Sequence, residues 1–165
     1  MIKHLVIVAA VASGLWFAWQ WLFPSDEAQI VALLERIADG VSRGAEDGEL
    51  GRLARAASLG NEFAPDVTVD AGPPFQRIKG RDAIIGAAVR TSGTMRNLEI
   101  RFPDVSVAIA PDRQSATAVV TAEARFDEGG GRSLDARELE LEFTRQEGEW
   151  VISAVTIVQP LQRLR

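Results

Sequence analysis

Residues 98–109 read LEIRFPDVSVAI, and three comparable stretches follow: ATAVVTAEARF at 116–126, ELELEF at 138–143 and WVISAVTIV at 150–158. In each stretch apolar and polar side chains alternate, which is typical of a β-strand with one buried face. Only short turn sequences separate the stretches, so consecutive strands are expected to pair antiparallel. The sequence therefore predicts a sheet of four long antiparallel strands with one covered face.

The turn sequences between these strands have clear local chemistry. Pro103 interrupts the first stretch, and we expect an edge strand or a bulge there because proline cannot donate to a ladder. The next turn is Pro111-Asp112-Arg113, in which proline presets φ and the aspartate can bond back to the backbone. Residues 129–131 are three glycines and residues 147–148 are Glu-Gly, and both mark further hairpins.

A first helix is predicted directly before this region of the chain. Ser25 is a suitable N-cap, and Asp26 and Glu27 place negative charge in the first turn, where the helix dipole favours it. The helix is expected to end at Gly44. Its apolar residues recur three and four positions apart, as in an amphipathic helix: Ile30, Leu33, Leu34, Ile37 and Val41.

The remaining elements complete an α+β fold. A second helix is predicted from about Glu46 to Ala57, and a third from Gly80 to about Thr91. Residues 64–70 read as a turn and a short strand, and residues 72–78 as a loop. We expect a curved antiparallel sheet of four long strands plus a short one, wrapped by about three N-terminal helices into a cone-shaped barrel.

The N-terminal 24 residues predict a membrane anchor preceding a single domain at 25–165. Leu5–Phe23 is almost uninterrupted apolar sequence, and as a helix it would extend about 28 Å, close to the hydrocarbon core of a bilayer. Lys3 precedes it, which favours a single-pass protein with its C-terminal domain outside the cytoplasm, in the periplasm for a Gram-negative bacterium. The alternative is a cleaved signal peptide with a site near residues 10–12.

The composition excludes several kinds of chemistry. The chain has no Cys and no Tyr, so disulfides and thiolate catalysis are ruled out. Its only His is His4, ahead of the apolar segment, so the folded domain has no imidazole. A formal net charge of -5 argues against a nucleic-acid partner, which requires a basic surface. No cofactor is predicted.

Two short motifs accompany this order of elements: KGRDAI at 79–84, which opens the third helix, and GEWVI at 148–152. With them, the chain resembles the SnoaL-like branch of the nuclear transport factor 2-like superfamily. The resemblance implies a strongly curved sheet around helices, with a pocket at the open end of the cone. The superfamily contains both acid–base enzymes and non-catalytic modules, so the fold alone does not specify to which of these the chain belongs.

Four residues are candidates for a site. Asp66 and Asp70 share one face of the short strand, and either is a candidate general base of a cyclase-like enzyme; a turn-forming role for Asp66 and a solvated strand end for Asp70 are the alternatives. Phe75, in the predicted loop, is a candidate ligand contact together with Asp70 and Arg137. Arg137 shares the apolar face of its strand, so it requires an anionic partner if buried, or lies solvated beyond the covered region.

An acidic row is expected on the opposite face of the same strand: Glu138, Glu140 and Glu142. Alternate residues of one strand lie about 7 Å apart, too far for a compact metal site, and no metal site is predicted.

The sequence favours a non-catalytic, membrane-anchored module that binds a hydrophobic small molecule or another protein. The alternative is an isomerase or cyclase acting on a hydrophobic small molecule, with Asp66 or Asp70 as base and a raised pKa. A second alternative is an assembly component of a membrane complex, and a homodimer formed through the exposed sheet face is a further expectation.

Overall fold

The computed structural model describes residues 24–42, 49–72, 77–92, 96–128 and 131–158. Three helices and six strands are formed within these ranges. In chain order they are α1 (Asp26–Ser42), α2 (Glu49–Gly60), β1 (Phe63–Asp70), β2 (Ile78–Lys79), α3 (Arg81–Ser92), β3 (Arg96–Ile109), β4 (Ser115–Glu128), β5 (Gly131–Gln146) and β6 (Glu149–Val158).

The predicted anchor at residues 5–23 lies outside the described residues. Among the helices that the structure does describe, none combines the length and apolar character needed to cross a membrane.

The six strands form one open sheet in the order β2-β1-β6-β5-β4-β3. The four long strands pair antiparallel with their sequence neighbours, which confirms the prediction from alternation. Two features were not predicted. β1 pairs in parallel with β6, a contact between distant parts of the chain, and Ile78, expected in a loop, forms a two-residue strand opposite Val69. A strand of two residues is too short to show any periodicity.

The ladder between β3 and β4 is irregular at the position of Pro103. The register shifts between Arg101 and Asp104, and β3 lies at the edge of the sheet. Both outcomes follow from the missing N–H of proline, and they confirm the predicted bulge on an edge strand.

One face of the sheet, called here the inner face, carries the core. Alternate side chains of the central strands point to it and are nearly inaccessible to solvent: Ala116, Ala118, Val120, Leu141 and Phe143. α1 covers this face with Ile30, Leu33 and Leu34, which are at most 2% exposed. The predicted amphipathic stripe of α1 is therefore its buried face. Thr117, Val119 and Glu142 belong to the opposite side, called the outer face.

The KGRDAI motif holds α3 against β1 through hydrogen bonds to backbone carbonyls of β1. Gly80 has a φ of 92°, which favours glycine, and its N–H donates to the Val67 carbonyl at 2.8 Å. The Nε of Arg81 donates to the Phe63 carbonyl at 2.8 Å. These contacts give the motif a structural role at the entry to α3.

Candidate functional site

The inner face is apolar beyond the packed core but is only partly covered there. Past Val120, the side chains of Ala122 and Phe126 on β4 are half-buried, as are those of Leu139 on β5 and Ile157 on β6. Leu139 and Ile157 face each other across the β5–β6 ladder, and Phe126 lies further along β4, opposite Ser133. We call these four residues the apolar wall.

Arg137 lies within the apolar wall, between the levels of Leu139 and Phe126. It pairs in register with Ala122 on β4 and shares the face of Leu139, as alternation predicted. Its side chain is 57% exposed, and its Nε donates to the Asp135 carboxylate at 2.9 Å. Arg137 is therefore solvated beyond the covered region, which was the alternative considered for it, and its partner is Asp135. Its guanidinium remains accessible to an anionic group of a ligand.

Asp70 lies on the opposite side of the sheet. It is in register with Thr156, which is in register with the exposed Glu140 on the outer face. The neighbouring Val69 is in register with Val155, which packs against the core. Because side chains in register point to the same face, Asp70 and Arg137 are not brought together into one site.

The carboxylate of Asp70 is occupied by hydrogen bonds. It accepts from the Nε of Arg77 at 3.0 Å and from the backbone N–H of Gly72, also at 3.0 Å. The hydrogen bond from Arg77 lowers the pKa of Asp70, and the Gly72 N–H lowers it further. The acid–base hypothesis requires a raised pKa at its base, and the shift at Asp70 has the opposite sign.

The other two candidates contribute little to a site. Asp66 is exposed, so its carboxylate lies in water rather than in an apolar pocket. Phe75 lies outside the described residues, so its predicted ligand contact stays a prediction. The acidic row of Glu138, Glu140 and Glu142 is exposed on the outer face, as expected. No group of three potential metal ligands occurs within the described ranges.

A buried ionic cluster at the start of α1 was missed by the sequence reasoning. Asp26 is only 6% exposed, and its two carboxylate oxygens accept from Arg113 Nε and Arg145 Nη2, each at 2.7 Å. The hydrogen bond from Arg113 lowers the pKa of Asp26; burial opposes this, and Arg145 adds to it. The partners are 87 and 119 residues away in sequence, so no local pattern indicates them.

Trp150, the aromatic residue of the GEWVI motif, completes this cluster. The guanidinium carbon of Arg145 lies 4.8 Å from the centre of the Trp150 ring, within the range of a cation–π contact. Trp150 is 4% exposed, and its Nε1 has no hydrogen-bond partner within the described part of the chain. The cluster joins α1 to the β3–β4 turn and to β5 and β6, and its carboxylate is fully engaged.

Replacing Trp150 by phenylalanine is expected to cost little stability. Phenylalanine keeps an aromatic face for Arg145 and removes an N–H whose burial without a partner is unfavourable. We expect a loss of about 1 kcal/mol or less for Trp150→Phe, against about 3–5 kcal/mol for Trp150→Ala, which also leaves a cavity. Urea unfolding of both variants measures the difference, and equal losses would contradict this reading of Trp150.

Residues 25–156 match the family model of the SnoaL-like domain, which is most of the chain. The protein belongs to the SnoaL-like family. The predicted resemblance is thus confirmed for the folded domain, and the fold is the cone-like arrangement of a curved, unclosed sheet around N-terminal helices. No curated protein matches the chain.

Solved structures from Novosphingobium aromaticivorans share this fold at low sequence identity. A nuclear transport factor 2-like protein with a cystatin-like fold is 16% identical, with a TM-score of 0.67, and 90% of each chain is covered. A candidate scytalone dehydratase is 16% identical, with a TM-score of 0.63 over 83% of this chain and 93% of the other. A candidate aromatic ring hydroxylase is 15% identical, with a TM-score of 0.66 over 82% and 90%. At such identities the similarity extends to the fold alone.

Proposed function

We propose that this SnoaL-like domain is a non-catalytic binding module for an amphipathic small molecule, one with an apolar body and an anionic group. The apolar body contacts the apolar wall, and the anionic group meets the exposed guanidinium of Arg137, which lies opposite Ala122. The observation that carries the proposal is the half-buried state of Ala122, Phe126, Leu139 and Ile157 at the end of a concave face. Ligand sites in proteins are predominantly such concave apolar surfaces with a few polar groups at defined positions.

The state of the carboxylates supports binding rather than acid–base catalysis. Asp70 is held by Arg77, with a lowered pKa, on the face away from the apolar wall. Asp135, which does lie beside the wall, is engaged by Arg137 and half exposed. A general base that works near neutral pH needs a pKa raised toward that value, usually by burial. Neither carboxylate has such surroundings.

An acid–base enzyme is the second candidate function. Its support is the name of the fold relative given as a candidate scytalone dehydratase. A dehydratase or isomerase of this chain would need Asp70 or Asp66 as its base, because the chain has no Tyr and its only His is His4. Loss of a turnover activity in Asp70→Asn, with binding retained, would favour this candidate.

The proposal includes a location at a membrane surface. Residues 5–23 are apolar enough to span a bilayer, and the described fold begins at Pro24, directly after them. A domain attached in this way would present its binding site within reach of molecules that partition into the membrane. Fractionation of host cells tests this part: the full chain is expected in the membrane fraction and to resist extraction by salt.

Replacing Arg137 by alanine is expected to weaken the binding of a fatty-acid anion. Decanoate, a single-chain carboxylate, serves as the probe, and native mass spectrometry of the full chain released from micelles counts bound molecules. Losing one partly exposed charge contact costs on the order of 1 kcal/mol, so we expect a roughly five-fold weaker association for Arg137→Ala.

The matched control is Glu138→Ala, which changes the adjacent residue on the outer face. It is expected to leave decanoate binding unchanged or slightly stronger, because it removes a negative charge. If both variants bind decanoate as the wild type does, Arg137 has no role in binding. If the wild type binds none, the proposed function itself is contradicted.

A further inference from the structure

The outer face of the sheet is open to solvent along β4 and β5. Its side chains there alternate with those of the core, and most of them are exposed: Thr117, Val119, Glu138, Glu140 and Glu142. Val119 is 47% exposed and lies in register with Glu140. α1 covers the inner face, whereas the exposure of these side chains shows that no element within the described ranges covers the outer one. This face is therefore accessible to a partner.

The acidic row of the outer face has no cationic partner within the described part of the chain. The arginines on the same face of the neighbouring strands are engaged elsewhere. The Nε of Arg101 donates to Glu99 at 2.9 Å, and Nη2 of Arg125 lies 3.5 Å from the carboxylate of Glu123. Two acidic rows stacked on each other would repel, so the charge of this face favours a cationic partner over a second copy.

A groove of about 420 Å³ lies at one end of the acidic row. Glu142 lines it, together with the hydroxyl-bearing residues Thr117, Thr144 and Ser153. Ser153 is the extra residue of a bulge, because the β5–β6 register shifts between Glu142 and Phe143. The groove thus offers one carboxylate and several hydroxyl oxygens, and no cation lines it. Such a set of acceptors suits a guanidinium or an ammonium group, which carries only donors.

The spacing of the acidic row indicates the form of the partner. Alternate residues of a strand lie about 7 Å apart, and an extended peptide presents its own alternate side chains at the same interval. We propose that the outer face docks an extended basic segment of another protein, with one arginine or lysine side chain in the groove at Glu142 and two more opposite Glu140 and Glu138. Val119 supplies an apolar contact beside them. This inference is independent of the proposed ligand site on the inner face.

Two labelled peptides of equal composition test the docking. In the first, Arg-Ser-Arg-Ser-Arg, the arginines alternate; in the second, Arg-Arg-Arg-Ser-Ser, they are contiguous. Fluorescence anisotropy measures the binding of each to the full chain in a non-ionic detergent, at low ionic strength because salt screens exposed charges. We expect the alternating peptide to bind more tightly. Glu142→Gln should weaken its association by about three- to five-fold, as expected for the loss of one partly exposed ion pair.

Two further variants complete the experiment. Glu35→Gln removes the same charge from an exposed position of α1, on the helix that covers the inner face, and should leave peptide binding unchanged. Glu140→Gln removes the middle carboxylate of the acidic row and should weaken binding as Glu142→Gln does. Because all three positions are exposed, the substitutions should leave the circular dichroism spectrum of the folded chain unchanged.

Several results would overturn the proposal. Equal binding of the two peptides, or an equal effect of Glu142→Gln and Glu35→Gln, would indicate general attraction to an acidic protein. No binding of either peptide would show that the face does not take basic segments. Tighter binding to a full chain with Arg163→Gln and Arg165→Gln would show that the chain's own basic residues occupy the face. A dimer that excludes the peptide in native mass spectra would show that a second copy does so.

Discussion

Asp26→Ala is expected to lower the free energy of unfolding by about 3–5 kcal/mol, since removing one member of a buried ion pair leaves the other without compensation. Asp26 is 6% exposed and accepts hydrogen bonds from Arg113 and Arg145. The side chain of Arg145 is 21% exposed and lies against Trp150, so without Asp26 a guanidinium stays largely out of water. Urea or thermal unfolding of the full chain, followed by circular dichroism, measures the loss.

Arg113→Ala is the matched control for this cluster. The side chain of Arg113 is 66% exposed, so water screens much of its attraction to Asp26. Exposed ion pairs contribute about 1 kcal/mol or less, and Arg113→Ala should therefore cost far less than Asp26→Ala. Equal losses for the two variants would contradict the assignment of Arg145 as the main buried partner.

The effect of Asp26 also depends on pH in a defined direction. The folded-state pKa of Asp26 is lowered, chiefly by the hydrogen bond from Arg113, relative to about 3.9 in the unfolded chain. The contribution of Asp26 to the free energy of unfolding is therefore complete above about pH 4 and declines as the pH falls through the folded-state pKa. The difference in unfolding free energy between wild type and Asp26→Asn should shrink at acidic pH, and a constant difference would contradict this linkage. The pKa values of Asp70 and Glu99 are also lowered, but both residues are present in both proteins, so their contributions to the difference cancel.

Phe143→Ala is the second substitution with a large expected effect, about 3–5 kcal/mol, because it removes a fully buried aromatic side chain and leaves a cavity. Phe143 is 1% exposed, and it faces Ala116 on β4 and Ile152 on β6. The small alanine opposite cannot fill the space. We expect a large decrease in the urea midpoint, with the folded circular dichroism spectrum retained in the absence of denaturant.

Val119→Ala is the control for the core substitution. Val119 occupies the same strand pair but points to the outer face, where it is 47% exposed. Surface truncations of this kind usually change stability by about 0.5 kcal/mol or less. If Val119→Ala cost as much as Phe143→Ala, the assignment of inner and outer faces would be wrong.

The sequence was sufficient for the long strands because their burial is one-sided. Glu138 to Phe143 alternate strictly, and the structure exposes Glu138, Glu140 and Glu142 while burying Leu141 and Phe143. The same reasoning placed the bulge at Pro103, since proline has one well-defined effect on a ladder. These predictions depend only on local chemistry, and local chemistry is what a single sequence contains.

The site was less predictable because it depends on contacts between distant residues. Alternation put Arg137 on the inner face correctly, but it could not say where the covered region ends, and Arg137 lies beyond it with Asp135. For Asp70, the sequence showed a carboxylate on a short strand. The parallel pairing of β1 with β6 decides to which face of the sheet Asp70 belongs, and no local sequence pattern indicates this pairing. The partnership of Asp26 with Arg145 is undetectable for the same reason.

The most direct measurement of the central claim is a native mass spectrum of the full chain, purified gently from its own host. If the domain is a binding module, the spectrum should contain a reproducible species heavier than the polypeptide by the mass of one small molecule. That species should be depleted in Arg137→Ala and retained in Glu138→Ala. A bare polypeptide mass in every preparation, together with no uptake of added decanoate, would contradict the account.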